Sequence, residues 1–514
     1  KAKIFQQDGF SPLYDEGWNF ETIRKENLFL QKVGNCEMDE SLRERFKAEV
    51  RAMRAWTYLG MTMTFGKVPL ITEVLDYNSP NIPRDEVSVI RDFIMKELTE
   101  AAAILPEKYA GGYPNEKGRI TKYACLSLKA RAALYFGDYA LAESTAKEVM
   151  DKGGFSLFKI SSLSDAQKKE AEEMSLYIDF AEKGIDKDEF VKGMFNYEAL
   201  WHTENANPDN PEYIMTRQYA ASSWNYQDMT RYTSMRPNQL GGWSSVTPTQ
   251  NLVDAYWGVD GHSVPQLPTP EERAKAYNQI KADLDAYQKP EGEAKFIAFC
   301  QEKIKNGTLK DYKYIQEFRN RDSRMYVSIL MPFKSWYESN YGDKFVYEWI
   351  KNGNNESKTG FNFRKMLSLE NDANGDGQAT GDYPCIRYAE ILLIYAEAHT
   401  QTTGYDAATE AALNQLRDRC GMPDVPSGLS KEEGLKLIQN ERRIELAGEG
   451  FRGDDMTRYS DDYWKEHMNN VPIMTPDGDT ELTMKWSSRM RLKPIPQTAI
   501  DLNPLLAGDQ NPGY

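Results

Sequence analysis

Apolar positions recur every three or four residues in several stretches of the chain, and that period predicts helices there. Between 44 and 65, Phe46, Val50, Met53, Trp56, Gly60 and Met63 fall on one stripe, closed by Gly66 and Pro69. Between 85 and 105, Val87, Ile90, Ile94, Leu98, Ala101 and Leu105 form a second stripe. Pro106 ends it, and Asp85 is placed as its N-cap. From Arg119 to Met150 the pattern reads helix, glycine turn, helix. Cys125, Leu128, Ala132 and Tyr135 face one way, Gly137 turns the chain, and Ala142, Ala146 and Val149 face back before Gly153-Gly154. The phrase returns late in the chain. Ile386 to Ala398 is apolar nearly all round, which predicts a buried helix, with Asp406 to Arg419 as its partner and Cys420-Gly421-Met422-Pro423 as the stop. Ser430 to Gly450 reads as a further helix, opened by a capping box of Ser430 and Glu433. Helical pairs with small residues at the crossing are the units of tetratricopeptide-type scaffolds, so Tyr135, Tyr395 and the alanines around them are expected between helices.

Between the two copies the pattern changes. From Phe155 to about Tyr383 the periodicity is weak and turn residues abound, as in Asn205 to Pro211, Gly241-Gly242 and Gly258 to Gly261. A structureless stretch of that length is expected only where it carries function. The fold class predicted is mainly α: a tetratricopeptide-like helical-pair scaffold with a long, loop-rich, partly irregular insertion. Residues 1–514 are read as one domain. Within it, 1–154 and 384–460 form the scaffold, 155–383 the loop-rich ligand-binding excursion and 461–514 a C-terminal irregular segment. Leu492 to Gln497 holds too much proline for a helix or a central strand.

Charge and composition remove several function classes. A net charge of −15 and a pI near 5.1 argue against binding a phosphate backbone, so no nucleic-acid partner is expected. The cysteines Cys36, Cys125, Cys300, Cys385 and Cys420 include no C-x-x-C pair, which disfavours a zinc ribbon or a disulfide framework. Cys125 and Cys385 sit in apolar helical surroundings and read as buried thiols. The four histidines, His202, His262, His399 and His467, form no H-x-x-x-H pair. No run approaches the ~18 apolar residues of a membrane span, and Lys1-Ala2-Lys3-Ile4-Phe5 does not open like a signal peptide. G-x-S-x-G, H-E-x-x-H, a P-loop and a G-x-G-x-x-G followed by a helix are all missing, and no catalytic residue is assigned. The 78 acidic residues leave the two carboxylates of a glycosidase open on spacing alone.

Candidate binding chemistry lies in the insertion. The aromatic content is 12%, and Trp201, Trp224, Trp243 and Trp257 fall within it. Flat amphipathic rings stack on the apolar face of a sugar and also suit peptides. The ligand-binding candidates are Trp224, Tyr226, Trp243, Trp201 and Tyr232. Trp224 and Trp243 stand out, because Ser222-Ser223 with Asn225, and Gly241-Gly242 with Ser244-Ser245, suggest exposed loops. Any single ring reads more readily as core than as a binding residue, and Trp257, following a helix, reads as structural. Asp372-Ala373-Asn374-Gly375-Asp376-Gly377 opens like a calcium loop, with Asp372, Asn374, Asp376 and Asp382 as candidate oxygen ligands of a structural calcium. The twelfth position is Tyr383 where a bidentate Glu is expected, and a plain Asn/Asp/Gly turn is the alternative. In Glu441-Arg442-Arg443-Ile444-Glu445 the charges read as structural, with Arg442 and Glu445 paired three apart on a helix.

Several phrases together carry a family resemblance. They are Trp18, Ile23, Asn27, Phe29 and Leu30; Arg51 to Tyr58 with Phe65 to Leu70; Pro248 to Tyr256; Asn320 to Arg324; and Gln510 to Tyr514. The densest is Ile438 to Arg452. Over almost its whole length the chain resembles the SusD/RagB family of outer-membrane nutrient-binding lipoproteins. The resemblance implies a SusD-like fold of four tetratricopeptide-like repeats and no required cofactor. It implies a cell-surface protein, held in the outer membrane by an N-terminal lipid anchor, that acts as lid to a SusC-like TonB-dependent transporter. Such a protein captures oligosaccharides or, in RagB-like members, peptides, and catalyses no reaction. The anchor falls on no residue of this chain, since Cys36 has no apolar leader before it. An α-helical glycoside hydrolase is the reading from a different class.

Overall fold

The computed structural model describes residues 10–13, 15–76, 78–109, 116–220, 242–337, 345–367 and 380–514. Helices α1 (Phe20–Lys32), α2 (Glu40–Phe65), α3 (Val87–Ile104), α4 (Lys122–Tyr135) and α5 (Tyr139–Lys152) pack each on the next. Their starts are set by side chains that accept orphan backbone N–H groups: Asp39 from Leu42, Thr121 from Ala124 and Asp138 from Leu141. Gly137 turns α4 into α5 with φ +76°. The chain then runs through α6 (Asp165–Glu173), α7 (Lys187–Ala199), strand β1 (Tyr213–Arg217), α8 (Gln250–Ala255), α9 (Pro270–Ala286), α10 (Lys295–Lys305) and α11 (Ser323–Ser328). It returns through β2 (Tyr383–Arg387) into α12 (Tyr388–Thr402), α13 (Ala407–Cys420) and α14 (Lys431–Glu445). Helix α12 packs on α5, and both α13 and α14 pack on α12, so the two ends of the chain build one helical layer. The chain continues through α15 (Phe451–Arg458), α16 (Asp461–Met468), a hairpin of β3 (Pro472–Met474) and β4 (Thr480–Thr483), and α17 (Gln497–Leu502).

The structure corrects four expectations. Helix α12 starts at Tyr388, because Ile386 and Arg387 are spent on β2, which pairs antiparallel with β1. Asp85 is not an N-cap. It bridges to Val68, and its carboxylate accepts from the Leu70 N–H at 2.8 Å, while Glu86 takes the cap position. Among its described residues the 155–383 stretch is loop-rich as read, yet it also carries helices α6 to α11 and has its own core. Most of its helices are short and rings are frequent among their buried positions, so few long apolar stripes form for a period to reveal. The 461–514 segment likewise carries two helices and a hairpin, although Leu492 to Pro496 is irregular as expected.

Two hydrophobic cores result. The scaffold core is rich in alanine, with Ala48, Ala52, Ala55, Ala132, Ala146 and Ala396 fully buried. The second, formed by 171–367 with the ends of α13 and α14, is rich in rings such as Phe195, Tyr197, Tyr256, Tyr314 and Trp336. They meet where α7 crosses the end of α13. A Cβ on Gly193 would lie 2.1 Å from the Cys420 carbonyl carbon, and one on Gly421 would lie 2.3 Å from the Glu189 carbonyl oxygen. Two facing glycines therefore let the backbones touch.

A buried lattice of ion pairs also lies at this seam. Arg387 binds Glu212 (2.8 Å), Glu445 (2.8 Å) and Glu449 (2.7 Å). Arg419 binds Glu212 (3.1 Å) and Glu445. Arg324 binds Asp322 (2.7 Å), Glu441 (2.6 Å) and Glu445 (3.0 Å), and Lys365 binds Glu449 (2.7 Å). Burial alone would push the Glu445 carboxyl up, but Arg419, Arg387 and Arg324 hold it well below the usual carboxylate range. Arg442 does not pair with Glu445, as the helical spacing suggested. It turns to Asp455 at 2.9 Å, leaving Glu445 to the lattice.

Candidate ligand-binding site

The β1–β2 ribbon decides which loops share a neighbourhood. Its register sets Tyr213 opposite Arg387 and Arg217 opposite Tyr383. At the Arg217–Tyr383 end the chain leaves toward residues 221–241 and arrives from 368–379, so two segments far apart in sequence have adjacent roots. Asp382 pins that junction. One carboxylate oxygen accepts from the Tyr219 N–H (3.1 Å) and the other from the Thr216 hydroxyl (3.4 Å), while its own N–H donates to the Ala206 carbonyl (2.8 Å). Burial to 8% exposure raises the Asp382 pKa, against the pull of these bonds.

The described residues around this end form a polar and aromatic rim. The Arg217 guanidinium lies 5.3 Å over the Tyr219 ring. Gln218 closes against Gly118, and Lys117 pairs with Asp209 at 2.6 Å. Lys117, Asp209, Arg217 and Gln218 keep donors and acceptors at the surface beside one partly exposed ring. That mixture suits a ligand with hydroxyls on its edges and an apolar face.

Of the residues singled out from the sequence, Trp224, Tyr226 and Tyr232 lie outside the described residues, as do Asp372, Asn374 and Asp376. All six belong to the two segments rooted at this rim. Trp243 is 40% exposed, between buried Gly242 and a buried Ser244 at φ +45°. Its segment is fastened where the Thr359 hydroxyl donates to the Pro248 carbonyl (2.6 Å). Trp201 is corrected from a ligand-facing ring to a core ring. It is 7% exposed just past the end of α7, with Lys365 Nζ 4.9 Å and Arg387 5.4 Å from its centroid. Its turn-rich neighbours in sequence concealed a helix end lying on the ion lattice. Trp257 is structural as read, its indole N–H donating to Glu441 at 3.2 Å. Among the described residues no group of three side chains is placed to hold a metal ion, and both Asp382 oxygens are engaged by the loop root. Sequence reasoning passed over Arg217, Gln218 and Lys117, whose only signal is the strand pairing that brings them together.

A second surface is apolar. A groove of about 340 Å³ lies between Trp18, Phe20, Ile71, Leu75, Ile82 and Leu506. Leu502 on α17 (84% exposed) and Leu13 (80% exposed) stand beside it. No helix among the described residues is long and apolar enough to cross a membrane.

A model of the SusD family matches residues 211–514, from just ahead of β1 onward. The chain is similar to SusD-like protein P38 of Formosa agariphila, 21% identical over 453 residues that cover 85% of this chain and 70% of that protein. A SusD-like protein of Bacteroides fragilis has a similar structure, with TM-score 0.70 and 25% identity over 98% of this chain and 88% of the other. A second B. fragilis structure, described as a SusD-like carbohydrate-binding protein, aligns with TM-score 0.67 and 21% identity over 98% and 88%. A laminarin-binding SusD-like protein aligns with TM-score 0.57 and 21% identity over 98% and 87%. The helical-pair layer, the ribbon-rooted loops and the family match over more than half of the sequence lead to one conclusion: the chain belongs to the SusD family.

Proposed function

We propose that this protein captures oligosaccharides at the cell surface and delivers them, as a lid, to a SusC-like TonB-dependent transporter in the outer membrane. The observation that carries the reading is the rim at the open end of the β1–β2 ribbon. There Asp382 fastens Tyr219 at the edge of the described residues. Rings supply stacking faces, and Arg217, Gln218 and Asp209 supply hydrogen bonds to hydroxyls. Trp243 extends the aromatic surface. Related proteins described as carbohydrate-binding and laminarin-binding support the ligand class. The ligand is held and passed on without turnover. The apolar groove beside Leu13 and Leu502 supports docking on a membrane partner, with an N-terminal lipid anchor keeping the two together. The loop from Asp372 to Asp382 takes a structural calcium in this reading.

An array of glycans and peptides, with laminarin among the first probes, tests the ligand. Peptide binding without glycan binding replaces the oligosaccharide with a peptide. Trp224→Ala and Trp243→Ala are each expected to weaken binding about tenfold in calorimetry without lowering Tm. Unchanged affinity in both moves the site elsewhere. Release of reducing ends from a bound glycan rules out the binding-only reading, and absence of a barrel transporter after mild detergent extraction of outer membranes rules out the partner. A calcium titration that leaves Tm and binding unmoved removes the ion.

A further inference from the structure

Arg442 and Arg443 are neighbours on α14 with opposite fates. Arg442 is bound to Asp455. Arg443 forms no ion pair among the described residues. Its Nη2 donates to the Asn251 carbonyl (2.9 Å) and side-chain oxygen (2.5 Å). Arg452 on α15 also has no carboxylate partner among the described residues. Its Nη1 donates to the Tyr463 hydroxyl (2.9 Å), and its guanidinium lies 5.1 Å from that ring's centroid. His467, one turn further along α16, stacks on the same ring at 4.0 Å. Its Nδ1 lies 2.9 Å from the Tyr463 carbonyl, which places the proton on Nδ1 and leaves Nε2 without a hydrogen-bond partner among the described residues. All three side chains are partly exposed.

The carboxylates near them are few. Asp254 is already held by Gln250 (2.7 Å) and Arg273 (3.6 Å), and Glu466 is exposed beside His467. Burial and the neighbouring Arg452 push Arg443 down to about 9, against the pull of Tyr463 and Asp254, and at neutral pH it stays protonated. Burial, together with Arg443 and Arg452, lowers His467, while its bond to the Tyr463 carbonyl and Glu466 oppose that shift.

We propose that Arg443, Arg452 and His467 form an oxyanion-binding site that takes a sulfate or carboxylate group of an acidic saccharide. The planar donor fork of an arginine matches the oxygens of either group, and an imidazole that gains a proton adds a third contact. The anion chemistry rests on these three side chains alone. Only the saccharide source rests on the proposed function, so failure of neutral glycans to bind leaves the site standing.

The test is a pH titration of the whole protein with ¹³C-labelled histidine, in chloride, sulfate and glucuronate at one ionic strength. His467→Gln identifies the signal among four histidines. The His467 pKa is expected to rise by about 1 unit in sulfate, glucuronate or both, since an opposite charge at contact distance shifts a neighbour by that much. A response to sulfate alone assigns a sulfate ester, and to glucuronate alone a uronic acid. Arg452→Gln is expected to weaken the effect about tenfold or more. Should that variant not fold, Arg443→Lys, which keeps the charge and removes the fork, carries the same comparison. An identical His467 titration in all three salts overturns the site.

Discussion

The two cores of this protein solve packing in opposite ways. In the scaffold, fully buried alanines such as Ala52, Ala132 and Ala146 let long helices approach closely, and the charges that enter do so as separate pairs such as Arg54–Glu97 and Arg131–Glu390. In the second core, large rings fill the space between short helices, and most of the buried charge gathers at its border with the scaffold. Close approach of regular helices is a local, periodic property. Ring packing between short pieces is a three-dimensional one. Hence the core reading of most aromatics of 195–257 holds for Phe195, Tyr197, Tyr213 and Tyr256, while Trp201, singled out as a binding ring, is buried with them.

The seam is where this contrast breaks most readily. Gly193→Ala is expected to cost at least about 4 kcal/mol or to prevent folding, because its Cβ would meet backbone that cannot move aside. Urea unfolding measures it, and a cost below about 1 kcal/mol would show that the two halves can slide apart. Arg387→Met leaves Glu212, Glu445 and Glu449 buried around a neutral side chain, at about 3–5 kcal/mol. A neutral outcome would make the lattice dispensable.

Smaller effects sharpen the contrast inside the scaffold. Glu26 has one carboxylate oxygen buried without a donor, and burial raises its pKa to about 7 despite Thr57 and Arg54. A folded value above the unfolded one means the ionised folded state is disfavoured as pH rises through 7. Glu26→Gln should therefore stabilise by about 1–2 kcal/mol at pH 8 and by little at pH 4. Equal effects at both would remove the titration. His399 lies between Glu143 (2.8 Å) and Asp406 (3.1 Å). Burial alone would lower its pKa, but these two bonds outweigh it and raise it. Its contribution is complete below the unfolded value near 6.5 and disappears as pH rises through the higher folded value. Because Asp406 is well exposed, His399→Gln should cost under ~1 kcal/mol at pH 6 and nothing at pH 9. A cost independent of pH would make His399 a packing residue only.

Legibility follows the range of the interaction. The end of α2, the α4–α5 turn and the starts of α13 and α14 were readable because caps and apolar stripes act within one or two turns, whereas α2 begins at Glu40 rather than Glu44 and α14 stops at Glu445 rather than Gly450. The Ser430–Glu433 capping box forms as the spacing implies. The start of α12 was misread because a strand ladder to β1, more than 160 residues away, claims Ile386 and Arg387. Arg442 was misassigned for the same reason: Asp455, on the next helix, competes with the local partner Glu445.

By itself the sequence determined the helical-pair scaffold, the absence of common enzyme signatures and the family, since these rest on local period, composition and short phrases. Only the tertiary structure decided that Arg217 and Tyr219 share a rim with Asp382, that Trp201 belongs to the core, and that Arg443 forms no ion pair among the described residues. Antiparallel pairing and helix crossing join residues with no sequence proximity, and the cost of burying a charge or a ring is settled by whatever those contacts bring beside it.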